Sequence, residues 1–412
     1  MVPRALSQPR AAAYSCRVLR VTPFHARTAP LCQGQTWRRW AGHLVASSYE
    51  LQHDREYHAI RSAAALIDVS PLYKYVITGP DAAALLDRVV TRDVPRCRVG
   101  QVLYTPWCDT AGKQIDDGTL ARLGEETFRL TAAEPNLRWL RRNATGLRVA
   151  IADASDTTAA LALQGPAARL ILERAASSGL AGLKYFHLTE TTIRGVRVTV
   201  SRTGYTGDLG YELWLDAERA VEVWDALIEA GAPFGLTPAG MLALDVARIE
   251  AGLLLLAVDY VPANRALIED QMSTPFELGL GWTVALDKPR FVGRAALAAE
   301  AAHAPAWRLV GIEVQWESFE RLYAAVGLPP RLPAVAWRTS VPLYVGARQV
   351  GYATSGCWSP LLKKYIALAH VEAAHAAPGA ALEMEVTVEH RRRRADAVVV
   401  RTPFFDPERK RA

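Results

Sequence analysis

The stretch from Ser201 to Leu213 constrains the chain more than any other. It carries glycines at 204, 207 and 210, interleaved with Tyr205, Thr206, Asp208 and Leu209. Val196 to Val200 before it and Tyr211 to Trp214 after it are strand-like. Glycines so spaced let a backbone bend sharply and approach a flat ligand closely. Glu212 falls within the second strand, where a period of two aims it to one face.

At 412 residues the chain has room for two or three domains with ample cores. The net charge of +6 is unevenly spread, because residues 1–49 hold seven arginines, no lysine and no acid, which leaves the rest at −1. The body is therefore balanced and no nucleic-acid partner is expected. Arg391 to Arg394 reads as a solvated strand end or turn. The apolar run Ala251 to Val258 is far shorter than the roughly 20 residues of a bilayer span. It reads as a buried strand or helix end, and no membrane partner is expected. The five cysteines (16, 32, 97, 108 and 357) are widely spaced with no C-x-x-C pair. Neither a disulfide framework nor a metal site is expected, and a reducing compartment fits. Residues 1–21 are arginine-rich and acid-free. They read as a disordered or targeting extension, giving a cytoplasmic location, or a mitochondrial one if they are a transit peptide.

Along the chain, Tyr57 to Leu66 reads as a helix and Lys74 to Thr78 as a strand. Gly79-Pro80-Asp81 then opens a helix with Asp81 as N-cap and Leu85, Leu86 and Val89 buried. A similar strand, Gly-Pro break and helix recur at Ala160 to Ala176, which suggests a duplication of α+β halves. Between the two units, Val102 to Gly118 reads as a hairpin turning at Asp109 to Gly112. Its adjacent Asp116 and Asp117 must point to opposite faces of a strand, so one can line a pocket while the other is solvated or caps a neighbour. Ala217 to Ala230 reads as a helix with Val221, Trp224, Leu227 and Ile228 as its stripe and Gly231 closing it. A further helix starts at Pro238, and its Asp245, Arg248 and Glu250 read as surface ion pairs. From Trp307 onward, short strands alternate with turns, as in a small separate β-barrel, with the boundary near residue 303.

The sequence has no Walker A, dinucleotide-binding, H-E-x-x-H or G-x-S-x-G motif. What remains is a set of carboxylates with aromatics: Tyr104, Asp117, Tyr205, Glu212 and Trp282. A carboxylate accepts two parallel N–H bonds from an edge such as that of a 2-amino-4-oxo pterin, and aromatic rings pack on its flat faces. A second carboxylate near a reactive nitrogen can take its proton. Spacing alone leaves open whether these residues meet or are simply core.

Gly204-Tyr-Thr-Gly-Asp-Leu-Gly-Tyr-Glu-Leu213 resembles the G-Y-T-G-E-x-G-[FY]-E signature of the glycine-cleavage T-protein (aminomethyltransferase) family. Ile67-Asp-Val-Ser70, Leu161 to Pro166, Arg248-Ile-Glu-Ala-Gly252, Gly279 to Val284, Phe291-Val-Gly-Arg294, Thr354 to Pro360 and Pro403 to Pro407 agree in order. The resemblance implies an α+β, three-lobed folate-binding fold over residues 22–303 and a C-terminal β-barrel over 304–412. It further implies tetrahydrofolate as the acceptor of a one-carbon unit. Asp117 would be the catalytic aspartate near the folate nitrogens, Glu212 would hold the pterin edge, and Tyr104, Tyr205 and Trp282 would complete the folate site. The donor would be a lipoyl-carrier (H-protein-like) aminomethyl group or a small methylated compound, with a separate flavoprotein as a further partner. Three positions depart from the family. Lys113 follows Gly112 where the family has a second glycine, Thr131-Ala132-Ala133 replaces V-N-A, and Ala243-Leu244-Asp245 replaces A-R-D. These keep a folate-dependent demethylase as an alternative. A folate-binding iron–sulfur assembly factor is less favoured, since the cysteine of that relative's central motif is absent.

Overall fold

The computed structural model describes residues 19–177, 180 and 182–412. Most of the expected N-terminal extension lies outside them, whereas Arg20 and Val21 already pair with His43 and Leu44. Two larger sheets and a barrel make three lobes, and Arg20–Val21, His43–Ala46 and Trp37–Trp40 form a small third sheet. The first sheet is five-stranded, in the order Val102–Cys108, Gln114–Gly124, Thr127–Ala132, Tyr73–Thr78 and Ala150–Asp153. The second is six-stranded, in the order Leu188–Ile193, Val196–Ser201, Gly210–Asp216, Thr158–Gln164, Ala64–Asp68 and Leu236–Pro238. Six further strands, Trp307–Val314 through Arg391–Val400, close into the C-terminal barrel. The α+β class and the barrel are as expected. Each sheet holds one strand, Gly-Pro break and helix, and Gly79 and Gly165 at the two breaks both have left-handed φ, +118° and +128°. Each lobe has its own apolar core. A fourth core, containing Ile60, Trp214, Ile249, Cys357 and Ile366, joins the second sheet to the barrel.

Several local expectations fail for identifiable reasons. The helix expected over Tyr57 to Leu66 is Asp54–Ser62, and Ala64–Asp68 is a buried strand inside the second sheet. A short run buried on both faces has no distinguishing period. Asp81 stands at the N-cap position as expected, but its side chain makes no capping bond; its carboxylate accepts from Arg148 N at 2.8 Å instead. Helix Ala220–Gly231 buries Val223, Trp224 and Leu227, while Val221 and Ile228 are half-buried. The left-handed residue beyond it is Gly235 (φ +70°), not Gly231. Ala251 to Val258 belongs to no helix or strand.

The glycine stretch has a different purpose from the one its spacing suggests. Gln164 is fully buried against it. A Cβ on Gly204 would lie 2.0 Å, and one on Gly210 2.2 Å, from Gln164 Oε1. The Gln164 amide donates to Thr203 O (3.3 Å) and Tyr211 O (3.4 Å) and accepts from Thr206 Oγ1 (2.8 Å). The loop therefore wraps a protein side chain, and these two glycines make room for Gln164 rather than for a ligand. Gly207, at φ +72°, would set a Cβ 2.4 Å from that of Ala251.

Asp245, Arg248 and Glu250 are not surface groups: all three are buried, at 3%, 0% and 0% exposure. Glu250 accepts from Arg61 Nη2 (2.6 Å), Tyr57 Oη (2.5 Å) and Ser359 Oγ (2.5 Å). Arg61 also donates to Thr206 O (2.9 Å) and Ala247 O (3.1 Å). One ion pair thus joins two helices, the glycine stretch and the barrel. Removing one member of a buried pair leaves the other charge uncompensated, at a cost of about 3–5 kcal/mol. Arg61→Met should therefore lower the unfolding free energy by that amount, read in urea unfolding as a lower midpoint with an unchanged denaturant slope.

Candidate active site

The hairpin Val102–Cys108 with Gln114–Gly124 sets the two aspartates apart as strand alternation requires. Asp116 is fully buried and accepts from Asp117 N (2.8 Å), Asn136 Nδ2 (2.7 Å) and Glu134 N (3.2 Å). Burial, and then the charge of Asp117, push its carboxyl well above the usual range. It is a structural group. Asp117 faces the other way, where Tyr104 Oη donates to its Oδ2 at 2.8 Å and Tyr260 Oη to its Oδ1. Burial raises the Asp117 carboxyl, and the two hydroxyls pull it back. Burial and the Asp117 charge in turn hold both phenols well above their ordinary value. Asp117 and Tyr104 are enclosed by protein yet keep part of their surface open to water. A carboxylate so placed can take up a proton that bulk solvent does not reach freely.

Tyr104 also carries the site outward. Its ring stacks on Trp282 at 6.2 Å between centroids and 28° between planes. Trp282 is 64% exposed, with the Arg92 guanidinium 5.4 Å over its ring. Beside them opens a cleft of about 700 Å³, lined in part by Arg92, Gln101, Tyr104, His187 and Trp282. Tyr205 lies near enough to feel the charge of Asp117, and its hydroxyl donates to Leu254 O.

Glu212 stands apart from this group, on the second sheet. Thr203 Oγ1 donates to its Oε2 at 2.5 Å, while Oε1 has no hydrogen bond among the described residues. Burial raises its carboxyl; Thr203 and then the positive Arg129 oppose that. Arg129 crosses from the first sheet and lies 4.1 Å over the Trp214 ring. The structure thus brings Tyr104, Asp117, Tyr205 and Trp282 into one neighbourhood and places Glu212 with Arg129 beside it. Tyr260 and Arg129 were missed from sequence. Tyr260 sits in an irregular segment with no period. Arg129 left a signal, a charge between the core residues Phe128 and Leu130 of a strand. No cluster of side chains that could hold a metal occurs among the described residues, and no helix among them is long and apolar enough to cross a membrane.

Residues 25–288 match the GCVT N-terminal domain and residues 324–406 the glycine cleavage T-protein C-terminal barrel domain. An aminomethyltransferase of Halothermothrix orenii is 37% identical over 354 residues, 85% of this chain and 90% of that protein. A trimethylamine-oxide aldolase of Ruegeria pomeroyi is 36% identical over 385 residues, 90% of this chain and 45% of that protein. Among solved structures, the glycine cleavage system aminomethyltransferase T from Bartonella henselae has the same fold, with a TM-score of 0.80 at 24% identity over 94% of this chain and 98% of that one. Fold and relatives together define an enzyme of the aminomethyltransferase-like class. More particularly, the chain belongs to the glycine cleavage T-protein family.

The geometry around Asp117 yields a direct test. Tyr260→Phe removes a hydrogen bond to the ionised carboxylate and leaves burial in place, so the Asp117 carboxyl should titrate at higher pH than in the parent. Carboxyl ¹³C NMR, with Asp117→Asn to assign the resonance, reads this shift; an unchanged titration would contradict the geometry.

Proposed function

We propose that this enzyme is a tetrahydrofolate-dependent one-carbon transferase that moves a carbon unit from an aminomethyl or methyl donor to tetrahydrofolate. The observation that carries the reading is the enclosed Asp117 carboxylate, held by two tyrosine hydroxyls, only half-buried, and bonded to the Tyr104 that lines the cleft. The residues present suit the ligand. Glu212 keeps an oxygen without a partner for a pterin N–H, and Tyr104 and Trp282 offer flat faces. When bound, tetrahydrofolate supplies the nitrogen that accepts the carbon. Asp117 takes up the proton leaving that nitrogen, Tyr104 and Tyr260 fix the carboxylate in position, and Glu212 orients the ring.

The departures from the family bear on this unequally. Ala132, in the place of the family asparagine, is buried in the apolar core of the first lobe, on the face away from Asp117. Its loss takes no polar group from the Asp117 face. Leu244, in the place of the family arginine, packs in the core between the second sheet and the barrel. That change, with the likeness to a trimethylamine-oxide aldolase, favours a second reading in which the donor is a small methylated compound instead of a lipoyl carrier.

Asp117→Asn should abolish transfer while tetrahydrofolate still binds by calorimetry. Absence of binding to the parent protein would remove the reading. Glu212→Gln should weaken binding by roughly 10–100-fold, the value of a charge-assisted hydrogen bond. Turnover with lipoylated H-protein, set against a panel of N-, O- and S-methyl compounds, decides the donor; turnover with H-protein alone would exclude the demethylase.

A further inference from the structure

Arg129 is 6% exposed, yet its guanidinium makes no hydrogen bond to any described residue, and its Nε is wholly enclosed and unpartnered. A buried charge without an acceptor is costly, so an acceptor is expected to arrive from outside the protein. Phe128 and Leu130 fill the lobe's own core, so Arg129 leaves by the opposite face of the strand, the face that carries Asp117 on its neighbour. Arg129 pairs with Ala121, four residues along from Asp117, or roughly 13 Å at ~3.3 Å per residue. Stacking on Trp214 places the guanidinium beside Glu212, whose charge acts on it, although no Arg129 nitrogen lies within the 4.0 Å of an ion pair with Glu212. Glu212 retains an unpartnered acceptor oxygen and Arg129 unpartnered donors. Side by side they match a planar edge that offers N–H donors next to a carbonyl oxygen.

We propose that Arg129 is a specificity-determining residue that donates to the 4-oxo group of a 2-amino-4-oxo pterin whose N–H edge is held by Glu212. The proposal rests on the folate reading and narrows it. A 2,4-diamino ring presents N–H donors where the carbonyl would be. It therefore sets donor against donor at Arg129.

The test is calorimetric affinity for tetrahydrofolate and for its 4-amino-4-deoxy analogue, in the full chain and in Arg129→Leu and Arg129→Gln. The parent should prefer the 4-oxo ligand by about tenfold or more, the scale of one hydrogen bond to a charged group. In Arg129→Leu the preference should collapse to near unity. Arg129→Gln, which keeps the length and a neutral donor, should retain part of it, and it also serves if the leucine variant does not fold. A parent that binds both ligands equally, or variants that keep the full preference, would overturn the proposal and leave the folate reading intact. A parent that binds neither ligand would overturn both.

Discussion

Asp259 is the constraint on which the rest of the site depends. It is completely buried, and a buried carboxylate must be met by charge and hydrogen bonds from all sides. Arg248 of the helix Met241–Glu250 supplies the charge. Leu255 N (2.8 Å) and, from the barrel, Thr354 Oγ1 (2.6 Å) and Ser355 Oγ (2.7 Å) supply the hydrogen bonds. The barrel's His370 donates from Nε2 to the Asp259 backbone carbonyl at 2.6 Å, and burial lowers the pKa of that ring. The residue that follows is Tyr260, whose hydroxyl holds Asp117. The barrel thus fixes one residue, and its neighbour fixes the carboxylate of another lobe.

The electrostatics of the site run against stability. Asp117 and Glu212 both have carboxyls raised by burial. A carboxyl raised in the folded state favours folding only while it is protonated. As pH rises from the ordinary carboxylate range through the raised folded value, each of the two subtracts stability. Hydroxyls from Tyr104, Tyr260 and Thr203 reduce that cost without removing it. The Glu250–Arg61 and Asp259–Arg248 pairs, in contrast, are compensated inside the protein. The chain therefore carries two kinds of buried charge, one with an ion-pair partner inside the protein and one without.

How much of this was legible in the sequence depended on the range of the interaction. Alternation separated Asp116 from Asp117, and the strand after the glycines placed Glu212, because both are consequences of one local period. The barrel followed from strand and turn spacing. Arg248 and Glu250 were misjudged as surface residues because a helix pattern does not reveal partners such as Tyr57 and Ser359, 193 and 109 residues from Glu250. The strand Ala64–Asp68 reads in sequence as the end of a helix because its two buried faces erase the period of two. Tyr260 was hidden by an irregular segment whose course is set by Asp259 and not by any propensity of its own.

Gln164 adds a consequence for how this stretch can vary over time. Its side chain occupies the volume that two glycine Cβ atoms, on the next but one segment of chain, would need. Gly204 and Gly210 are thus not free to drift independently, and neither is Gln164. A larger residue at either glycine has nowhere to go unless the glutamine shrinks, and a smaller residue at 164 leaves an empty polar cage of Thr203, Thr206 and Tyr211. The three positions form one heritable unit, in which the first change alone is penalised and only a joint change restores packing. The signature that marks the family is, at these positions, the imprint of a side chain inside the protein.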